Sequence, residues 1–295
     1  MSQPEPDIMP EPHPTPPFKA ALVQMTASKS LDKNLAFLED TIREAAGNGA
    51  AYILTPENSL LMDLDGQRVA EVTGSTAYAE ALTSLHQLAG EHGVTLHIGA
   101  TPVLLSAASS GPQLSNRSFL IGPDGQLIGQ YDKIHMFDVS LPGGESYRES
   151  ATYKPGAEAV VVDGSFAKIG LTICYDLRFP SLYRALAQAG AEMITVPAAF
   201  TQYTGKAHWH VLLRARAIET GCFVFASAQT GAHETGRSTF GHSLIVSPWG
   251  EVLVDGGTEP GVSYADIDLT EIGVSRRAVP SLTHDRDFIA PTASP

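Results

Sequence analysis

Three residues of reactive type stand where an apolar stretch ends and a loop begins: Cys174 in "GLTICYD", Glu57 in "YILTPE" and Lys133 in "LIGQYDK". At a strand end that leads into a helix, backbone N–H groups and the helix dipole favour negative charge. A thiol there is expected to have a lowered pKa and to supply a nucleophilic thiolate. Taken singly, the cysteine also fits a small buried side chain, and the charged residues fit solvated strand ends. All three together are a more specific pattern, because α/β sheets gather functional residues at strand ends.

The elements that must position these residues alternate along the chain between apolar stretches, which predict strands, and amphipathic stretches, which predict helices. Strands are predicted at 18–25, 52–57, 94–105, 117–123, 125–134, 166–176, 192–200 and 222–229, and helices at 31–50, 76–92, 180–190 and 207–221.

Two hairpins indicate that the second half of the chain repeats the first. "FLIGPDGQLIGQ" (119–130) and "LIVSPWGEVLVD" (244–255) share an apolar strand, a Pro-x-Gly turn and a returning strand, which is typical of an internal duplication. Since the strands are almost continuously apolar, both faces of each sheet must be covered. Helices on one face and a second sheet on the other give the predicted fold, an α/β four-layer α-β-β-α sandwich.

Composition indicates a globular chain with a large apolar core. Hydrophobic residues make up 43% of the 295 residues, and we expect one domain at 18–288 between a Pro-rich acidic tail (1–17) and a short C-terminal tail (289–295). The net charge of −13 argues against binding nucleic acid or an anionic membrane surface. Two cysteines form no disulfide framework, and the sequence shows neither a signal peptide nor an apolar run long enough to span a bilayer. The expected location is the cytoplasm.

The segments around the three candidate residues resemble those of a known superfamily. "TPEN" around Glu57, "YDKIHMFDV" around Lys133 and "ICYDLRFPSLYRALAQAGAE" around Cys174 resemble the three signature segments of the nitrilase, or carbon–nitrogen hydrolase, superfamily. The resemblance runs from about Phe18 to Phe288. "TGKAHWHVLLRARAIETGCFV" and "GHSLIVSPWGEVL" are similar to the Nit branch of that superfamily, so the resemblance implies an amidase.

The resemblance also implies a role for each residue in the cleavage of an amide bond. Cys174 would attack the carbonyl carbon and form a thioester, with Glu57 as general base and then general acid. Lys133 would stabilise the oxyanion, with the backbone N–H of Tyr175 as a second donor. The implied chemistry needs no cofactor and no metal.

Three further residues are candidates for positioning or binding. The family pattern includes a second glutamate, and "YRESATYKPG" matches it at Glu149 rather than Glu145; the alternative is an ordinary loop carboxylate. Arg178 is expected either to clamp a substrate carboxylate or to pair with Asp176. Phe200, at another strand end, is expected either to form a pocket wall or to be a core aromatic residue.

Several functions are compatible with the resemblance. It implies a small carboxylate-bearing amide as substrate, in particular deaminated glutathione, and a homodimer or larger homo-oligomer. The nearest alternative is ω-amidase activity on α-ketoglutaramate or a similar amide. An alternative of another class is a catalytically silent interaction protein that kept the scaffold, although such a protein has no reason to keep Glu57, Lys133, Glu149 and Cys174 together.

Two histidines raise the separate question of a metal. His208 and His210 form a His-x-His pair, but residues two apart on a helix do not share a face, so no metal site is expected. The family segment usually reads Ala-His-Trp-Glu, and this chain has His210 in place of the glutamate. If this position contacts the substrate, the specificity of the branch would change.

Overall fold

The computed structural model describes residues 16–108, 111–142 and 144–291. The first fifteen residues of the predicted N-terminal tail and the last four of the C-terminal tail lie outside the described residues. The described part of the chain forms six α-helices: α1 (Leu31–Gly47), α2 (Gly66–Thr73), α3 (Thr76–His92), α4 (Pro180–Gln188), α5 (Gln202–Thr220) and α6 (Thr270–Ala278).

The same residues form two large sheets and two short ribbons. The strands are β1 (Phe18–Gln24), β2 (Ala50–Leu54), β3 (Thr95–Ala108), β4 (Gly111–Ile121), β5 (Leu127–Asp132), β6 (Asp138–Ser140), β7 (Ser146–Arg148), β8 (Val160–Asp163), β9 (Lys168–Leu171), β10 (Met193–Thr195), β11 (Phe223–Ala226), β12 (Thr230–Ala232), β13 (Ser238–Phe240), β14 (Leu244–Val246), β15 (Val252–Asp255) and β16 (Gly261–Ile267). The ribbons pair β6 with β7 and β12 with β13.

The two six-stranded sheets share one plan. Their orders are β16-β1-β2-β3-β4-β5 and β15-β14-β11-β10-β9-β8. In each sheet three neighbouring strands run parallel, β1-β2-β3 in one and β9-β10-β11 in the other. An antiparallel strand flanks one edge and an antiparallel hairpin closes the other. This strand-for-strand match agrees with the predicted duplication.

The sheets pack face to face, and helices cover their outer faces. Along β1, Leu22 belongs to the core shared with the second sheet, whereas Val23 belongs to the core under α1 and α3, as the two-residue period of a strand requires. The rings of Tyr52 on β2 and Phe225 on β11 lie 5.7 Å apart across the sheet interface. Helices α4 and α5 pack against β9 and β11. The predicted four-layer sandwich is therefore confirmed.

The helix ends follow local capping signals. Helix α3 occupies the predicted range because Ser75 caps its first turn and Gly93 ends it with a φ of 63°. Helix α5 begins at Gln202, five residues before the predicted start, because the Thr201 side chain accepts the N–H of Thr204. Short helices such as α2 and α6, with eight and nine residues, gave too little periodicity to be predicted.

The strand predicted at 166–176 is much shorter in the structure. Strand β9 ends at Leu171, and Cys174–Arg178 forms a 3-10 helix. The buried Asp176 carboxylate accepts the N–H of Ile173 at 2.9 Å, which turns the backbone out of the strand. The apolar run of the sequence therefore continues past the strand into a buried turn.

Candidate active site

Loops at the ends of several strands meet at one edge of the sandwich. Glu57 follows β2, Lys133 follows β5, Cys174 follows β9 and Phe200 follows β10. All four line a cavity of about 240 Å³. The topology thus brings together side chains that lie far apart in the sequence; Glu57 and Lys133, for example, are 76 residues apart.

The Glu57 carboxylate is buried, and both of its oxygens accept hydrogen bonds. Its Oε1 accepts hydrogen bonds from Lys133 Nζ at 2.8 Å and from Asn116 Nδ2 at 2.9 Å, and its Oε2 accepts the N–H of Ala199 at 2.8 Å. Burial alone would raise the pKa of Glu57, but the charge and hydrogen bond of Lys133, with a smaller contribution from Arg237, hold that pKa below its ordinary value. The carboxylate is therefore ionised at neutral pH and able to accept a proton.

The Lys133 ammonium lies between two carboxylates. Its Nζ is 2.8 Å from Glu57 Oε1 and 2.9 Å from Glu149 Oε1, and its side chain is only 2% exposed. Burial alone would lower the pKa of Lys133, but Glu149 and Glu57 raise it well above its usual value. The site therefore holds a fixed positive charge next to Glu57.

Glu149 is anchored to the backbone as well as to the ammonium. Its Oε2 accepts the N–H of Phe137 at 2.6 Å, and the residue lines the cavity. Glu145, the other glutamate considered, lies in an exposed loop, where its carboxylate accepts the Tyr147 hydroxyl at 3.0 Å. Of the two, the structure places Glu149 beside Lys133.

Cys174 has an unusual backbone conformation. Its φ of 48° lies in the left-handed region, where any residue other than glycine is strained. Backbone strain of this kind often accompanies a functional site. Its N–H donates to the carbonyl of Pro197 at 2.9 Å. The residue is 6% exposed and begins the 3-10 helix, so the Tyr175 N–H lies in the first turn, where helix geometry provides no intrahelical acceptor.

The expected lowering of the Cys174 pKa is wrong. Burial raises the pKa of the Cys174 thiol far above its ordinary value, and the adjacent Glu57 carboxylate raises it further. The helix that begins at Cys174 is only a short 3-10 turn, and α4 begins six residues later at Pro180. The resting residue is therefore a thiol, and its proton must be removed by a neighbouring base.

Asp176 holds the turn that carries the cysteine. The carboxylate is fully buried, and besides the Ile173 N–H it accepts the Tyr131 hydroxyl at 2.8 Å and contacts His135 Nδ1 at 2.7 Å. The His135 ring stacks on Phe179 with centroids 3.4 Å apart. The sequence alternative in which Asp176 pairs with Arg178 is not what the structure shows.

The three residues expected to bind substrate are not equally placed. Tyr175 and Phe200 line the cavity, whereas Arg178 is not among its lining residues. The Arg178 guanidinium lies 5.1 Å from the Phe200 ring centroid, and its Nη1 lies 3.3 Å from His208 Nδ1. It therefore contacts the ring of a cavity residue without lining the cavity itself.

Arg237 is a cavity residue that the sequence analysis did not identify. It lies in the turn between β12 and β13, lines the cavity and places its guanidinium 5.1 Å over the Tyr147 ring. Its Nη2 donates to the carbonyl of Ala199. Its Nε is buried and has no hydrogen-bond partner among the described residues. A lone arginine in a polar turn carries no signal that sequence reasoning could have used.

The two histidines on α5, His208 and His210, contact different residues. His208 contacts Arg178, whereas His210 Nε2 lies 3.1 Å from Asp255 Oδ2. His210 is not among the residues that line the cavity. The departure from the family segment at this position therefore lies outside the cavity wall.

Comparison with known proteins identifies the family. The family model described as "Carbon-nitrogen hydrolase" matches residues 19–277. The chain belongs to the carbon–nitrogen hydrolase family. A deaminated glutathione amidase from Synechocystis is 42% identical over 270 residues, which cover 91% of this chain and 98% of that protein. The deaminated glutathione amidase of Homo sapiens is 38% identical over 267 residues, which cover 90% of this chain and 81% of that protein.

Solved structures place the chain in the same superfamily. The NitFhit protein of C. elegans superposes with a TM-score of 0.85 at 34% identity, over 92% of this chain but only 66% of that longer chain. Saccharomyces cerevisiae Nit3, a member of branch 10 of the nitrilase superfamily, gives a TM-score of 0.78 at 28% identity over 90% of this chain and 94% of that chain. This carbon–nitrogen hydrolase is accordingly a hydrolase that acts on amides. None of the helices in the described residues is long and apolar enough to cross a membrane.

Proposed function

We propose that this carbon–nitrogen hydrolase cleaves the amide bond of deaminated glutathione through a thioester on Cys174, with Glu57 and Lys133 as its catalytic partners. The observation that carries the proposal is the buried Lys133 ammonium, 2.8 Å from the Glu57 carboxylate, in the same cavity as the Cys174 thiol. Relatives that are 37–42% identical and named deaminated glutathione amidase support the choice of substrate.

The first half of the reaction forms the acyl-enzyme. Glu57 removes the proton from Cys174 Sγ, which the raised thiol pKa makes necessary, and the sulfur adds to the carbonyl carbon. Lys133 and the Tyr175 N–H stabilise the negative charge that develops on the carbonyl oxygen. Glu57 then gives its proton to the amide nitrogen, the C–N bond breaks, and cysteinylglycine leaves as a neutral amine.

The second half releases the α-keto acid. Glu57, again ionised, removes a proton from a water molecule, whose oxygen adds to the thioester carbonyl. The C–S bond then breaks, and the proton held by Glu57 returns to the sulfur. Glu149 takes no proton in this scheme; its ion pair with Lys133 keeps the ammonium in position.

Two arginines in the cavity lining offer cationic groups to an anionic substrate. The chain carries a net charge of −13, yet Arg237 and the exposed Arg148 both line the cavity. The Arg237 guanidinium lines the cavity and carries a buried Nε without a hydrogen-bond partner among the described residues, and a guanidinium is a common partner of carboxylates. We therefore assign to Arg237 the carboxylate contact that the sequence suggested for Arg178.

The experiment measures product release from deaminated glutathione and from α-ketoglutaramate, for the wild type and for Cys174→Ala. Turnover of deaminated glutathione that disappears in Cys174→Ala supports the proposal. Turnover of α-ketoglutaramate alone would move the assignment to ω-amidase. No turnover of either substrate by folded wild type would favour a catalytically silent interaction protein.

Two expectations about the whole protein complete the proposal. We propose that it forms a homodimer and is located in the cytoplasm. Light scattering coupled to size exclusion tests the first, since a monomer mass at all concentrations would contradict it. Fractionation of the source cells tests the second, and recovery outside the cytosolic fraction would contradict it.

A further inference from the structure

Outside the active-site cavity, three side chains with metal-ligating atoms converge on the protein surface. His210 lies on α5, His242 lies in the loop before β14, and Asp255 ends β15. His210 Nε2 is 3.1 Å from Asp255 Oδ2, and His242 Nδ1 is 2.9 Å from Oδ1 and 3.1 Å from Oδ2 of the same carboxylate. One potential ligand atom from each residue lies within 4.8 Å of the others.

The backbone holds two of these residues in place. His242 has a φ of 56°, a strained conformation for a residue with a side chain. Its N–H donates to the carbonyl of Gly257 at 2.6 Å, and its carbonyl accepts Trp209 Nε1 at 2.8 Å. Asp255 Oδ1 accepts the N–H of Gly257 at 2.9 Å. The same turn therefore fixes the imidazole and the carboxylate relative to each other.

The separations suit a single tetrahedral ion. Bonds of about 2.0–2.1 Å from zinc to nitrogen and oxygen put neighbouring ligand atoms about 3.3 Å apart. Asp255 Oδ2 lies 3.1 Å from a nitrogen of His210 and 3.1 Å from a nitrogen of His242. The third separation, between ligand atoms of the two histidines, is at most 4.8 Å, so rotation of these partly exposed side chains can bring three ligand atoms around one ion.

The chemistry of the cluster is also that of an ion site. Two neutral imidazoles and one carboxylate are common ligands of divalent transition metals, and together they carry a net negative charge. The side chains of His210 and Asp255 are each 36% exposed and that of His242 is 25% exposed. The ion therefore has a path of entry, and a water molecule has room to take the fourth position.

We propose that His210, His242 and Asp255 form a binding site for one divalent transition-metal ion of the zinc class. None of the three lines the cavity, so the ion takes no part in the amide chemistry. It links α5 to the hairpin of β14 and β15. Helix α5 also carries Trp209, whose ring lies 4.9 Å from that of the cavity residue Phe200. The inference does not depend on the proposed function.

The test is a metal titration of the full-length, tag-free chain in the Cys174→Ala background, which removes the cavity thiol as a competing ligand. Zn²⁺ binding is followed by calorimetry and Co²⁺ binding by its visible spectrum, which is intense for tetrahedral coordination. We expect one saturable site per chain. His210→Gln keeps an N–H donor for Asp255 but removes the imidazole, and it should weaken binding by at least about tenfold. Asp255→Asn should do the same.

The matched control is His208→Gln, which removes an imidazole two residues away on the same helix. It should leave the affinity for both ions unchanged. Circular dichroism melts show whether each variant is folded, and His242→Gln replaces any variant that is not. Equal affinity in all variants, or no saturable binding up to millimolar Zn²⁺, would overturn the proposal.

Discussion

Replacing Lys133 by Met tests whether its ammonium group balances the negative charge of the two buried carboxylates, Glu57 and Glu149. The side chain is 2% exposed and lies within 3 Å of Glu57 and Glu149, whose side chains are 4% and 12% exposed. Removing one partner of a buried ion pair typically costs about 3–5 kcal/mol, because the remaining charge is left without compensation. We expect a loss of that size in the free energy of unfolding at pH 7.5, measured by urea denaturation.

The pH dependence of this loss has a definite sign. In the wild type the pKa of Glu57 is lowered, so its stabilising contribution is complete above the unfolded-state pKa of about 4.3 and is lost only as the pH falls through the folded-state pKa. In Lys133→Met, burial raises the pKa of Glu57, and the folded state binds a proton more tightly than the unfolded state. Lowering the pH from 7.5 to 5.5 should then recover up to about 1.4 kcal/mol per pH unit relative to the wild type.

Two further variants make this measurement specific. Lys133→Met/Glu57→Gln should regain part of the lost stability at pH 7.5, since it removes one uncompensated charge. Lys168→Met breaks a pair with Asp163 that spans 3.8 Å and is 37% and 81% exposed, so it should change stability by less than about 0.5 kcal/mol. A loss for Lys133→Met no larger than this control, or one that is the same at both pH values, would refute the reasoning.

Three other predictions concern the cavity. The pH profile of kcat/KM should be level from about pH 5.5 to pH 9, because the pKa of Glu57 is lowered and those of Cys174 and Lys133 are raised; a step near the ordinary pKa of imidazole would contradict this. The free energy of unfolding from urea denaturation should be about 1 kcal/mol higher for Cys174→Gly than for Cys174→Ala, because the φ of 48° favours glycine. Equal free energies of unfolding would show that the backbone is not strained. Arg237→Gln should raise the KM for deaminated glutathione by about 10- to 100-fold, whereas Arg178→Gln should change it less; steady-state kinetics that rank the two variants in the opposite order would restore Arg178 as the carboxylate contact.

Much of the fold could be predicted because its signals are local. The apolar strands, the caps at Ser75 and Gly93 and the repeated hairpins each depend on a few neighbouring residues. The turn after β9 could not be predicted in this way. It depends on Asp176 meeting Tyr131 and His135, more than 40 residues away in the sequence.

In the candidate active site, too, the features that could be predicted are those that depend on local sequence. The positions of Glu57, Lys133 and Cys174 at strand ends follow from the apolar pattern, and the choice of Glu149 over Glu145 followed from the resemblance. The state of the thiol did not follow, because its pKa depends on how deeply Cys174 is buried and on the nearby Glu57 carboxylate. The role of Arg237 and the cluster around Asp255 depend in the same way on contacts between distant segments.

The most direct test of the central claim is to trap the acyl-enzyme. Wild type is mixed with deaminated glutathione and quenched in acid within the first turnover, and the adduct is located by mass spectrometry of the digested chain. We predict the α-keto acyl group on the peptide that contains Cys174, and no adduct in Cys174→Ala. Product formation by Cys174→Ala at the wild-type rate, or an adduct on Cys222 instead, would contradict the account.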